Sequence, residues 1–190
     1  MPLILASTSR YRRELLERLG LPFNIARPEV DESPLAGETA PDLARRLARA
    51  KASAIAAQHP EATIIGSDQV AALGDQFLGK PGTRENALAQ LGALSGREAV
   101  FHTAVCLLHG DAPPCEAMDI TVVRFRKLTT AEIERYLDAE QPLDCAGSFK
   151  SERLGIALLE RIETIDPTAL IGLPLLALSG LLREKGFALP

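Results

Sequence analysis

The sequence predicts an α/β protein in which a mixed, twisted sheet carries flanking helices. Three observations lead there. Short apolar runs with the look of buried strands, such as Leu3-Ile4-Leu5-Ala6 and Ile64-Ile65, alternate with longer segments of helical periodicity. Helix start and stop signals fall between them, so the elements read in the order β-α-β-α-β-β-α-β-β-α-β-α. The 190 residues are enough for one domain, and residues 1–190 are read as a single domain.

Each element has its own justification. Leu3 to Ala6 is a strand and Ser7-Thr8-Ser9 a turn. A helix then runs from Arg10 to Gly20, with Arg12, Leu15, Leu16 and Leu19 at i, i+3, i+4, i+7 spacing. Residues 22–40 hold Pro22, Pro28, Pro34 and Gly37 and read as a strand and a loop. Pro41-Asp42 opens a second helix to about Gln58. Thr63 to Gly66 is a strand that resumes from Gln69 to Leu73, with a hairpin turn at Gly74-Asp75. Thr83 caps a helix to Leu94, ended by Gly96. Val100–Leu108 and Asp119–Phe125 are strands, and Thr129 with Glu132 forms a capping box for a helix to about Ala139. Ala146 to Arg153 is a loop, Leu154 to Ile165 a strand region, and Pro174 opens a last helix ended by Gly186.

Charge and composition exclude several function classes. Lys plus Arg is 21 and Asp plus Glu 25, a net charge of −4, which argues against binding nucleic acid through bulk charge. The longest uncharged stretch, Pro167 to Leu182, holds prolyl and glycyl breaks and is too short to span a bilayer. Met1 to Ala6 lacks the basic lead-in of a signal peptide. Cys106, Cys115 and Cys145 are odd in number and widely spaced, so buried free thiols in a reducing cytoplasm are expected.

The first helix is charged against its own dipole. Arg10, Arg12 and Arg13 crowd the positive end, where cations cost stability. With the hydroxyls of Ser7, Thr8 and Ser9 and the free N–H groups of the turn, this reads as a phosphate cradle without the glycines of a Walker loop. It reads equally as a solvated helix end whose arginine stems cover apolar surface. Asp68, after the Ile64-Ile65 run, is placed at a strand end where a carboxylate serves as metal ligand or general base, or else caps a turn. Glu32 is a second oxygen ligand for a hard cation, in a loop where an exposed acid is the default. Lys80 stands on a turn, and Lys51 belongs to a run with Arg45, Arg46 and Arg49 whose default is a solvated helix face. His59, His102 and His109 have no metal spacing.

The motifs together are familiar. Leu3 to Ser9 followed by Arg12-Arg13 and Leu15-Leu16, the run Ile64 to Val70, Gly79-Lys80-Pro81, Leu94 to Glu98, Pro142 to Glu152 and Ile171 to Leu175 resemble, in order, the Maf family of nucleoside triphosphate pyrophosphatases. The resemblance implies an inosine-triphosphatase-like fold with two lobes around a cleft. It implies cleavage of a nucleoside triphosphate to monophosphate and pyrophosphate with Mg²⁺ or Mn²⁺, a small-molecule nucleotide partner, and a homodimer as assembly. It makes Asp68 the proton acceptor and Ser7, Arg12, Arg13, Lys51 and Lys80 the triphosphate ligands, while Asp68 and Glu32 stay the candidate metal ligands on residue type and position alone.

Ala146 to Glu152 resembles the branch acting on 7-methyl-GTP, which maps base specificity to Tyr11, Gln69 and Glu152. The branch acting on dTTP and UTP has arginine where Tyr11 stands and threonine where Gln69 stands. A cationic 7-methylguanine suits an aromatic face, at about 1–2 kcal/mol when desolvated, and Glu152 suits the guanine N1–H and N2 amine edge. A dTTP/UTP pyrophosphatase and a nucleotide-binding regulator of cell division without turnover are the competing readings.

Overall fold

The computed structural model describes residues 1–190. Its elements follow the expected order: β1 (Leu3–Ala6), α1 (Arg10–Glu17), β2 (Asn24–Ala26), α2 (Ala40–Ala56), β3 (Thr63–Leu73), β4 (Gln76–Leu78), α3 (Arg84–Leu94), β5 (Glu98–His109), β6 (Cys115–Phe125), α4 (Thr130–Glu140), β7 (Leu159–Glu163) and α5 (Leu175–Glu184). The sheet is mixed, in the order β2-β1-β3-β5-β6-β7, with β4 paired to β3. β1 runs parallel to both β2 and β3, because each connection is a crossover through a helix. β4 turns back antiparallel on β3 through Gly74, whose φ of 61° favours glycine.

The chain forms two compact units. The first comprises Met1–Gln69, His102–Asp119 and Asp166–Pro190. Its core packs Leu3 and Leu5 of β1 with Leu15 and Leu16 of α1, Ile65 of β3, and Leu178 and Leu182 of α5. α1 fully buries only Leu15 and Leu16, so its first turn with Arg10, Arg12 and Arg13 lies outside this core. The N-terminus of α5 is capped from a distance. Its N-cap, Pro174, offers no side chain, and instead Asp166 Oδ2 accepts from Leu176 N at 2.6 Å and Thr168 Oγ1 from Leu175 N at 2.9 Å. Pro174 therefore precedes the helix rather than occupying its first turn.

The second unit comprises Val70–Phe101 and Ile120–Ile165. Phe149 packs edge-on against Phe101 and Phe125, with ring centroids 5.5 and 5.3 Å away. The capping box of α4 is formed as expected, with Thr129 and Glu132 satisfying each other's backbone N–H groups. Buried Tyr136 accepts a hydrogen bond from Lys150 N at 2.9 Å and so ties the Pro142–Glu152 motif to α4.

Four further expectations need correction. β3 is one continuous strand, so Asp68 lies within it rather than at an end; Ser67 and Asp68 can continue the ladder because both have buried partners. β6 starts at Cys115, since Glu116 is neutralised by Arg49 at 2.7 and 2.9 Å rather than breaking the strand. Leu154–Leu158 is a 3-10 helix, not strand: Gly155 lies so close to the Lys150 backbone that a Cβ would stand 2.4 Å from its carbonyl oxygen. The three cysteines are free, but only Cys106 is fully buried, its thiol pushed up to about 12 chiefly by desolvation.

Candidate active site

The first unit gathers a charged cluster around Asp68. The strand carries this carboxylate inward, where it is 7% exposed. Lys51, on the inner face of α2, is 5% exposed and places Nζ 2.6 Å from Asp68 Oδ1. The same ammonium lies 2.6 Å from Oε1 of Glu32, whose side chain is otherwise largely exposed. Lys51 is thus the exception in its run: Arg46 pairs with Glu38, Arg49 with Glu116, and Arg45 lies near Asp42, all as ion pairs on the outer face. Arg12 contributes the second cation, with Nη2 3.8 Å from Asp68 Oδ1. Both cations address the same carboxylate oxygen, and no protein donor occupies Oδ2.

Gly66 sets how closely α2 lies on β3. A Cβ there would stand 2.1 Å from Ala48 O and 2.7 Å from Ala52 N, so only glycine lets the helix backbone approach the strand. Lys51 sits between these two helix residues, and Gly66 lies two strand positions from Asp68. The close approach is what lets a long side chain buried on α2 meet a short one on β3.

The three arginines of α1 diverge. Arg12 Nε donates to the carbonyl of Gly172 at 2.9 Å, which fixes its guanidinium beside Asp68. Arg13 turns to Glu17 at 2.8 Å and is exposed. Arg10 lies over the ring of Tyr11, 4.7 Å from the centroid, so the aromatic face expected to receive a cationic base already carries one. Ser7 is buried and accepts from Ser9 N at 3.1 Å, while Ser9 caps α1 by accepting from Arg12 N.

Gln69, next to Asp68, points its amide nitrogen at three oxygens: Thr103 Oγ1 at 3.0 Å, Ala169 O at 2.9 Å and Leu170 O at 3.0 Å. Two of these are carbonyls, which only accept, so the amide nitrogen faces the protein and Oε1 is the atom left to a ligand. In the second unit, Lys80 and Glu152 are both exposed, Lys80 on the turn after β4 and Glu152 in the loop after Phe149.

Asp68 and Glu32 supply two hard oxygen donors meeting on one cation. No group of three or more His, Cys, Asp or Glu side chains has metal-binding geometry. The pair suits Mg²⁺ or Mn²⁺, which take one or two carboxylates and complete their shell with water and substrate phosphate.

A family model for Maf-like protein matches residues 2–185. This chain belongs to the Maf family. Its Maf relatives include a protein of Xanthomonas oryzae named 7-methyl-GTP pyrophosphatase, 62% identical over 99% of this chain and 98% of its own length. A protein of the same name from Cupriavidus metallidurans is 58% identical over 97% of this chain and 94% of its own. The Maf chain also shares its fold with the HAM1 protein of Coxiella burnetii, at a TM-score of 0.58 and 18% identity, over 97% of this chain and 99% of that one. No helix is long and apolar enough to cross a membrane.

Of the residues named from sequence, the Maf structure gathers Arg12, Lys51, Asp68 and Glu32 into one network. Two participants were not legible. The Gly172 carbonyl lay inside a motif but carried no side-chain signal. Thr103 was an ordinary strand residue. Gly66 did leave a signal, a glycine inside a β-branched strand run.

Proposed function

We propose that this chain hydrolyses 7-methyl-GTP to 7-methyl-GMP and pyrophosphate. The carrying observation is Asp68, held at Oδ1 by Lys51 and Arg12 with Oδ2 left without a protein donor. The names of the Xanthomonas and Cupriavidus relatives support the substrate.

Water attacks the α-phosphorus, a new P–O bond forms, and the bond to the bridging α–β oxygen breaks. Asp68 Oδ2 takes the proton of the attacking water. Arg12, Arg13 and Lys51 of the first unit neutralise charge that builds on the leaving pyrophosphate, with Ser7 as a hydroxyl donor. Asp68 and Glu32 would hold a divalent cation, which supplies Lewis acidity at the phosphates and a more acidic water. With a cation held there, Lys51 would be released from Asp68 and Glu32 to pair with phosphate oxygens. Tyr11 offers its ring to the methylated base, in place of or opposite Arg10, and Gln69 Oε1 accepts from the guanine donor edge.

The location in this reading is the cytoplasm, in keeping with three free cysteines, and the assembly is a homodimer. Pyrophosphate release from a nucleotide panel with Mg²⁺ or Mn²⁺ tests the function. 7-Methyl-GTP should lead in kcat/KM. Preference for dTTP or UTP would favour the pyrimidine branch, and binding without release would favour a regulator.

A further inference from the structure

The segment Ala169–Gly172 is clamped at both ends by side chains from three other elements. At one end, Ala169 O accepts from Thr103 Oγ1 at 2.9 Å and from Gln69 Nε2 at 2.9 Å. At the other, Gly172 O accepts from Arg12 Nε at 2.9 Å and from Ser67 Oγ at 3.2 Å. The 3-10 turn Ala169–Ile171 joins the ends, because Gly172 N donates back to Ala169 O at 2.9 Å. The two carbonyls therefore move as one unit. Gly172 has φ 130°, which favours glycine, and its Cα faces the Arg12 side chain, with a built Cβ 3.7 Å from Nε.

We propose that Thr103 is a positioning residue for Arg12, acting through the Ala169–Gly172 turn. Thr103 has 0% exposure, so it has no surface to offer a ligand. Its hydroxyl spends its one proton on Ala169 O and accepts from Gln69, which leaves it no freedom to rotate. Removing the hydroxyl takes away one of the two side-chain donors on Ala169 O, leaving Gln69 Nε2 and the backbone bonds of the turn, and so loosens the position from which the Gly172 carbonyl orients the guanidinium. The sequence gives Thr103 no motif; only the fold brings it to this turn. The inference rests on the reading that Arg12 serves the triphosphate.

The test is a double-mutant cycle on pyrophosphate release by the full chain. Thr103→Val keeps shape and removes the hydroxyl. It should lower kcat about tenfold with 7-methyl-GTP and GTP alike, with KM changed less than about twofold. Thr103→Ser should recover kcat to within about twofold of the parent. In the Arg12→Ala background, Thr103→Val should cost nothing further. Multiplicative losses, or a Thr103→Val effect on nucleotide preference instead of kcat, would overturn the proposal. If Arg12→Ala alone leaves kcat unchanged, the role given to Arg12 fails, and the proposal fails with it. Should Thr103→Val not fold, Thr103→Cys, a weak donor of similar size, takes its place in the same cycle.

Discussion

Lys51 Nζ stands 2.6 Å from Asp68 Oδ1 and 2.6 Å from Glu32 Oε1, so one buried ammonium bridges an acid from β3 and an acid from the loop before α2. Breaking a buried pair by removing one partner leaves the other charge uncompensated. Lys51→Met should lower unfolding free energy by about 3 kcal/mol and abolish turnover. Lys51→Met combined with Asp68→Leu should recover most of the stability and none of the activity. Denaturant melts of the two variants check this; a double variant no more stable than the single one would contradict it.

Gly66 controls that bridge from behind. With a Cβ 2.1 Å from Ala48 O, Gly66→Ala must push α2 off the strand. It should cost about 1–3 kcal/mol and lower kcat more than the stability loss explains, because Lys51 and Asp68 separate. Activity measured well below the melting temperature separates the two effects. A stable, fully active Gly66→Ala enzyme would rule out the close-approach argument.

The proposed exchange of the Lys51 ammonium for a divalent cation between Asp68 and Glu32 predicts metal dependence. A chelator should stop pyrophosphate release, and Mg²⁺ or Mn²⁺ should restore it. Glu32→Gln removes one anionic oxygen and should raise the metal concentration for half-maximal rate about tenfold or more, leaving nucleotide preference unchanged. Equal metal titrations for Glu32→Gln and the parent would remove Glu32 from the ligand set.

Base selection should move with Tyr11 and Gln69. Tyr11→Trp enlarges the aromatic face and should lower KM for 7-methyl-GTP by a few-fold, equivalent to about 0.5–1 kcal/mol. Tyr11→Arg with Gln69→Thr should shift kcat/KM towards pyrimidine triphosphates. Because Gln69 also holds Ala169 and Leu170, the double variant should lose kcat on every nucleotide as well. Selectivity that stays fixed would break the assignment.

Much of this was written in local signals. Thr83 and Thr129 declare their helices by capping chemistry, and both caps form. The Leu3–Ala6 and Ile64-Ile65 runs mark strands buried on both faces. Failures came where a polar residue found a distant partner. Asp68 looked like a strand end because its partner Lys51 sits on another element. Lys51 looked solvated because its neighbours in the run are, yet it alone turns inward. The clamp on Ala169–Gly172 was invisible for a related reason: its acceptors are backbone carbonyls, which every residue has. Composition argued against binding a nucleic-acid polymer through bulk charge, but only the network around Asp68 put basic side chains next to a buried carboxylate.

The most direct test is turnover of 7-methyl-GTP in H₂¹⁸O, comparing the parent with Asp68→Asn. The parent should place one ¹⁸O in 7-methyl-GMP and none in pyrophosphate. Asp68→Asn should lose turnover by about 10²–10⁴-fold while still binding the nucleotide. Label in the pyrophosphate, or an Asp68→Asn enzyme that runs at the parent rate, would contradict water activation by Asp68 at the α-phosphorus.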